Sequence, residues 1–214
     1  MTARKQVPTC TCWAWILSLA SMEFRERILT AAAEVYAETG FRGATTRRIA
    51  ERAGVNEITL FRHFGSKTRL LHEAIHCAGI TSNLCALPSR PIDPPTELLE
   101  WAAANHAELF ARRSLIRTAM GEIEERPDLL PPDRSPTVCA WRELNQYLGQ
   151  LQEFGWIDPE VNRNSAATMF MGTLFADALG RDVLPALYPH SPEQTVEHYV
   201  QLFSRAIGLR GSEP

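Results

Sequence analysis

The sequence predicts an all-α protein in two parts, an N-terminal three-helix helix-turn-helix domain and a larger helical domain behind it. Three observations predict this. Apolar residues recur at three- and four-residue steps through most of the 214-residue chain, which is the period of a helix and not of a strand. The helical runs are short and glycine-marked near the N-terminus, at Gly40 and Gly54, and longer and proline-marked after Pro88. Charge divides at the same place: residues 42–69 carry seven Arg or Lys against two Glu, whereas residues 77–214 carry eleven basic against eighteen acidic groups.

The first helix is expected over about 22–38, where Phe24, Ile28, Ala31, Ala32 and Val35 form one apolar stripe. Gly40 supplies the left-handed residue that commonly closes a helix, and Phe41 is placed to fold back over the last turn. Thr45 or Thr46 caps the second helix through a side-chain oxygen, Ile49, Ala50 and Ala53 give it a narrow apolar side, and Gly54 ends it. Asn56 is a good N-cap for the third helix, in which Leu60 and Phe64 sit four apart and point into a small core. Glu57, Ile58, Thr59, Phe61, Arg62 and His63 are then left on the other face. A short helix presented this way after a tight glycine turn has the geometry that enters a DNA major groove. Ser66 caps a fourth helix from Lys67, and a lysine there opposes the helix dipole unless a phosphate sits beside the free N–H groups.

The strings AETGF, TTRRIAERAGV, TLFRHF and GSK occur in that order and at matching spacing between about Glu23 and Ile75, roughly a quarter of the chain. This segment resembles the DNA-binding domain of the TetR family of bacterial transcriptional repressors. The resemblance implies DNA contacts from Thr46 and Arg47 on the second helix, from Glu57, Ile58, Thr59, Phe61 and His63 on the third, and a phosphate contact from Lys67. Three residues depart from the family's habit. Glu57 is an acid among phosphates and suits a cytosine amino group, Ile58 is bulky where a small residue or proline is frequent, and Phe61 lacks the hydroxyl of the usual tyrosine.

The overall charge of −3 and a pI near 6.1 do not mark a nucleic-acid binder, so the local basic excess carries the argument. The longest apolar run, WAWILSLA at 13–20, is far shorter than the roughly 20 residues that span a bilayer. With Arg4 and Lys5 before it, the run imitates a minimal secretory signal, but a DNA-binding domain directly behind it contradicts export. Residues 1–21 are therefore expected to lie outside the fold, with Met22 as a natural initiator, residues 22–76 to form the DNA-binding domain and 77–214 the second domain. Cys10, Cys12, Cys77, Cys85 and Cys139 are odd in number and lack CxxC spacing, which fits a reducing cytoplasmic interior rather than a disulfide framework or zinc ribbon. One string suggests an enzyme instead: HEAIH at 72–76 matches a zinc-hydrolase pattern, with His72 and His76 as ligands, Glu73 as base and Glu97 or Glu100 as a third ligand. The competing reading places the same residues on the fourth helix, where Leu70, Leu71, Ala74 and Ile75 must pack, and it explains more of them.

Beyond residue 77, prolines at 88, 91, 94 and 95 precede an amphipathic run through Leu98, Trp101, Leu109 and Phe110 and a second through Ile116, Ala119, Met120 and Ile123. A further proline-rich loop leads into a helix over about 137–154 that Gly155 stops. The last pair, about 159–179 and 192–208, includes a helix apolar on more than one side, which must be buried by something beyond its own domain. The family resemblance implies a homodimer through that pair, an unidentified small-molecule inducer and no cofactor. Trp101, His106, Phe110, Met120, Trp141, Tyr147 and Met169 are the candidate pocket lining, being aromatic, thioether or a lone imidazole on helical faces. The combined expectation is a ligand-released repressor of a palindromic operator.

Overall fold

The computed structural model of the chain describes residues 12–77, 86–127 and 135–210, without the side chains of 12–23, 76 and 77. Its helices are α1 (Cys12–Gly43), α2 (Thr46–Ala53), α3 (Glu57–Phe64), α4 (Lys67–Cys77), α5 (Pro94–Ala111), α6 (Arg113–Gly121), α7 (Pro136–Glu153), α8 (Arg163–Gly180) and α9 (Pro192–Ala206). A short 3-10 turn, Pro185–Leu187, lies between the last two, and no strand occurs among the described residues. The chain forms two compact units, Met1–Ala78 and Gly79–Pro214.

In the first unit α1 packs against both α2 and α4. Its apolar stripe is wider than the periodicity predicted: Leu29 and Tyr36 are buried along with Ile28, Ala31, Ala32 and Val35. Ile49, Ala50 and Ala53 of α2, Leu60 and Phe64 of α3, and Leu70, Leu71, Ala74 and Ile75 of α4 close the core. The start of α1 differs from expectation, since the helix begins at Cys12, well before Met22. The cause is that neither glycine nor proline interrupts residues 12–39, so nothing in the local chain stops the helix from running back. Cys10 and Cys85 fall outside the described residues, as do the side chains of Cys12 and Cys77.

Turn chemistry follows the sequence closely. Gly40 breaks the end of α1 with φ 65°, and Gly54 takes φ 65°, ψ 39° while its N–H reaches the carbonyls of Ala50 and Glu51. Thr45, not Thr46, caps α2, its hydroxyl accepting from the Arg48 N–H at 3.3 Å, and Asn56 caps α3 by accepting from the Ile58 N–H at 2.9 Å. Arg52 of α2 bridges Glu34 and Glu38 of α1 at 3.2 and 3.0 Å. These groups are half exposed, so the buried apolar side chains, not the ion pairs, carry most of the stability.

In the second unit α5 packs on α8 and α9, and α7 packs on α8. The core joins Leu98 and Trp101 of α5, Leu144, Leu148 and Leu151 of α7, Phe170 and Leu174 of α8, and Val200 and Phe203 of α9. Phe170 and Phe203 stack with centroids 4.2 Å apart. Ser135, Asn162 and Ser191 cap α7, α8 and α9, and Gly155 at φ 73° turns the chain after α7. Leu144 is fully buried at the centre of this core. Leu144→Ala should therefore lower unfolding free energy by about 2–5 kcal/mol in denaturant titration, and a loss under about 1 kcal/mol would mean the core is not packed as described.

Candidate functional site

α3 is eight residues long and only Leu60 and Phe64 of it are buried. The remaining side chains are left half-buried or exposed, including two large apolar groups that a free protein would ordinarily hide: Ile58 is 76% exposed and Phe61 49%. Arg62 and His63 are exposed too, and the His63 ring leans on Phe24 of α1 with centroids 5.6 Å apart. A small face of this kind, apolar at its centre and basic at its C-terminal end, suits base edges flanked by phosphates.

The neighbouring helices frame that face. Arg47 of α2 is strongly exposed and pairs with Glu51 one turn on at 3.0 Å, a hydrogen bond that raises its already high pKa and keeps it cationic. Thr46 is turned inward instead, and its hydroxyl donates to the carboxylate of Glu57 across the α2–α3 turn. Lys67 opens α4 with its ammonium 4.4 Å from the Phe41 ring centroid, and Ser66 caps the helix by accepting from the Arg69 N–H at 3.2 Å. The aromatic contact helps accommodate a lysine at a helix N-terminus, because the ring face offers negative potential to the ammonium. The structure thus gathers the predicted residues of α2, α3 and the start of α4 within one unit. The Thr46–Glu57 pair was missed by sequence reasoning, because no local spacing signals a bond between residues on different helices.

The HEAIH string lies on α4, as its apolar residues require. Glu73 is held by the Arg25 guanidinium of α1. His72 is half-buried and the His76 side chain falls outside the described residues. Among the described residues no three His, Cys, Asp or Glu groups are placed to hold a metal ion. Glu97, suggested as a third ligand, accepts from the Tyr147 hydroxyl and from the backbone N–H groups of Ile92 and Asp93. Glu100 is an exposed residue of α5.

The seven pocket candidates differ in burial and in partners. Trp101 is fully buried and donates its indole N–H to Glu143 at 3.0 Å. Tyr147 is buried against Glu97, and burial together with that carboxylate pushes its phenol far above the ordinary value. His106 is buried with Nε2 2.7 Å from Asp177 and lies parallel to the Phe110 ring, which carries the Arg113 guanidinium on its face at 4.1 Å. Trp141 is half-buried and bonded to Thr168 at 3.1 Å, while Met120 and Met169 are about half exposed. A surface groove of about 310 Å³ near the α7–α8 connection is lined by Gln152, Pro159, Val161, Asn162, Arg163 and Asn164, none of them a candidate.

One buried polar hub of this unit is a residue the sequence did not reveal. Asp177 of α8 is fully buried and accepts from His106 of α5, from Arg181 at 2.8 and 3.0 Å and from the Tyr199 hydroxyl of α9 at 3.0 Å. Burial alone would raise its pKa, but the donors from Arg181, His106 and Tyr199 outweigh burial and lower it. Tyr199, half-buried beside the carboxylate, is pushed up to about 12 by desolvation and by that hydrogen bond.

Comparison with known proteins adds the family context. The sequence profile described as Bacterial regulatory proteins, tetR family, matches residues 28–74. The chain is 29% identical over 183 residues to the HTH-type transcriptional regulator YvkB of Bacillus subtilis, covering 85% of this chain and 96% of that one. It is 33% identical over 104 residues to the HTH-type transcriptional repressor Rv3405c of Mycobacterium tuberculosis, covering 49% and 53% of the two chains. A crystal structure of a TetR-family regulator from Mesorhizobium loti superposes with a TM-score of 0.69 at 20% identity, over 87% of this chain and 97% of that one, which is a likeness of fold.

The Asp177 cluster sets a pH dependence. Because its folded pKa lies below the unfolded value near 3.8, the carboxylate stabilises the fold above that value, and the contribution is lost as pH falls through the lower, folded one. Asp177→Asn should be less stable than wild type at neutral pH, with the gap narrowing in acid. Thermal melts from pH 7 to pH ~2.5 check it, and a gap that is constant with pH would contradict the cluster's role.

Proposed function

We propose that this chain, a TetR-family transcriptional regulator, is a cytoplasmic homodimeric repressor that holds a palindromic operator and releases it when a small molecule binds the second unit. Proteins of this family are regulators and not enzymes, so the HEAIH segment is read as part of α4. The observation that carries the DNA-reading half is the outer face of α3, where Ile58 and Phe61 stand exposed between cationic neighbours. The name of Rv3405c, a repressor, supports the direction of control.

In this reading Lys67 and Arg47 meet phosphates, the exposed side chains of α3 meet base edges, and His63 borders the groove. Phosphate contacts set register and orientation, whereas base contacts set sequence. Neutralising phosphates releases counterions, so affinity falls steeply with salt. The acidic balance of residues 77–214 disfavours docking through the wrong surface.

The dimer half of the proposal rests on α8. One side of this helix is buried through Ala167, Phe170, Leu174 and Ala178, yet Thr168, Met169, Gly172 and Ala176 line an exposed side of small and apolar groups. A Cβ added at Gly172 would meet nothing within 4 Å, and Leu202 of α9 is 62% exposed. Small residues let a second helix approach closely, and a second copy is the partner that two-fold operators require. For the inducer, Phe110, Met120, Trp141 and Met169 keep accessible surface, whereas Trp101, His106 and Tyr147 are built into the core and would have to unpack to meet a ligand. No helix among the described residues is long and apolar enough to cross a membrane.

Lys67→Ala should weaken binding to every duplex and reduce the slope of log affinity against log salt by about 1; an unchanged slope in fluorescence anisotropy titrations would contradict its phosphate role. Gly172→Arg should yield a folded monomer by light scattering and circular dichroism, with operator affinity lowered more than tenfold, on the order of the loss of one half-site. A dimer that persists in this variant would place the interface elsewhere.

A further inference from the structure

We propose that Thr46 and Glu57 form one reading unit in which the threonine aims the carboxylate at a cytosine, so that each operator half-site carries a cytosine at the Glu57 position next to a thymine at the Ile58 position. This deepens the DNA-binding reading and rests on it. An acid in the first turn of α3 suits the helix dipole but is repelled by DNA phosphates, so its place on a DNA-facing helix needs a base that makes use of it. Glu57 is the first residue of α3 and Thr46 the first of α2, and the Thr46 hydroxyl donates to Oε1 of Glu57 across the turn. That proton is therefore not offered to a phosphate. Thr46 acts as a positioning residue, and the second carboxylate oxygen accepts no hydrogen bond among the described residues.

The chemistry of a fixed carboxylate is narrow. It only accepts, and in the major groove guanine shows two acceptors and thymine a carbonyl, which repel it. Adenine offers an amino group beside the N7 acceptor, leaving cytosine, with its N4 amino group, as the best match. Arg47, close enough for its charge to be felt at Glu57, offsets the repulsion between the acid and nearby phosphates. The next side chain, Ile58, is 76% exposed and has no polar atom, so its complement on the adjoining base is the thymine methyl. Phe61, one turn after Glu57 and 49% exposed, extends the same apolar track.

The test is selection from randomised duplexes with the full-length protein and three variants, Glu57→Gln, Thr46→Val and Thr46→Ser, each checked for folding by circular dichroism. Wild type should enrich cytosine over the other bases at one position per half-site by about tenfold, beside a thymine. Glu57→Gln should move that single position toward adenine, which a carboxamide reads through its donor and acceptor together, while the other positions stay unchanged. Thr46→Val should flatten the same position, and Thr46→Ser should restore it. The proposal is overturned if Glu57→Gln keeps the cytosine, if Thr46→Val retains full selectivity, or if Thr46→Val weakens all positions equally, as a merely structural role would. If wild type enriches no sequence at all, the sequence-specific reading of DNA fails first. A clear motif that ignores Glu57 sinks only this inference.

Discussion

Everything this protein is suited to do depends on two side chains four residues apart. Leu60 and Phe64 are the buried residues of α3, and their burial sets which face of the helix its remaining side chains occupy. An eight-residue helix is not stable by itself in water, because nucleation costs more than so few hydrogen bonds return. It exists here because those two anchors enter the core built by α1, α2 and α4, and because Asn56 caps one end while Gly65, at φ 75°, turns the chain at the other. The same economy leaves Ile58 and Phe61 in solvent. Exposed groups of that size are a liability in a free protein and are accounted for when a partner surface covers them.

Much of the first unit was legible because its signals are local. A glycine needed at positive φ, an Asn or Ser ahead of a helix and an apolar pair at i, i+4 all act within one or two turns, and Gly40, Gly54, Asn56 and Ser66 behave accordingly. Thr45 against Thr46 could not be settled from the sequence, since both are able to cap; the structure uses Thr45 for the cap and frees Thr46 to reach Glu57. That bond spans eleven residues, and the Arg25–Glu73 pair that binds α1 to α4 spans forty-eight. Such contacts depend on how helices cross, which spacing along one helix does not encode. The early start of α1 was missed for the opposite reason: a helix with no breaker continues until something stops it.

The second unit shows why pocket residues are harder to name. Several of its aromatic and imidazole groups are tied down by carboxylates from distant helices: Trp101 by Glu143, Tyr147 by Glu97, and His106 with Tyr199 by Asp177. Buried polar atoms must find partners, and here acids supply them. Part of the acidic excess of this half of the chain is thus structural, and only part faces solvent. The ring at Trp101 is core by this account. Residues that keep surface, such as Phe110 and Trp141, are free to answer to a ligand without dismantling the bundle.

The most direct test of the central claim is hydroxyl-radical footprinting of side chains with and without a duplex enriched by the protein from a random library. Phe61 and His63 are exposed on α3, and Phe154, 52% exposed in the second unit, is an internal reference. Saturating DNA should strongly suppress oxidation of Phe61 and His63 and leave Phe154 unchanged. Oxidation of Phe61 and His63 that continues at the free rate in the DNA complex would contradict the claim that the outer face of α3 reads the operator.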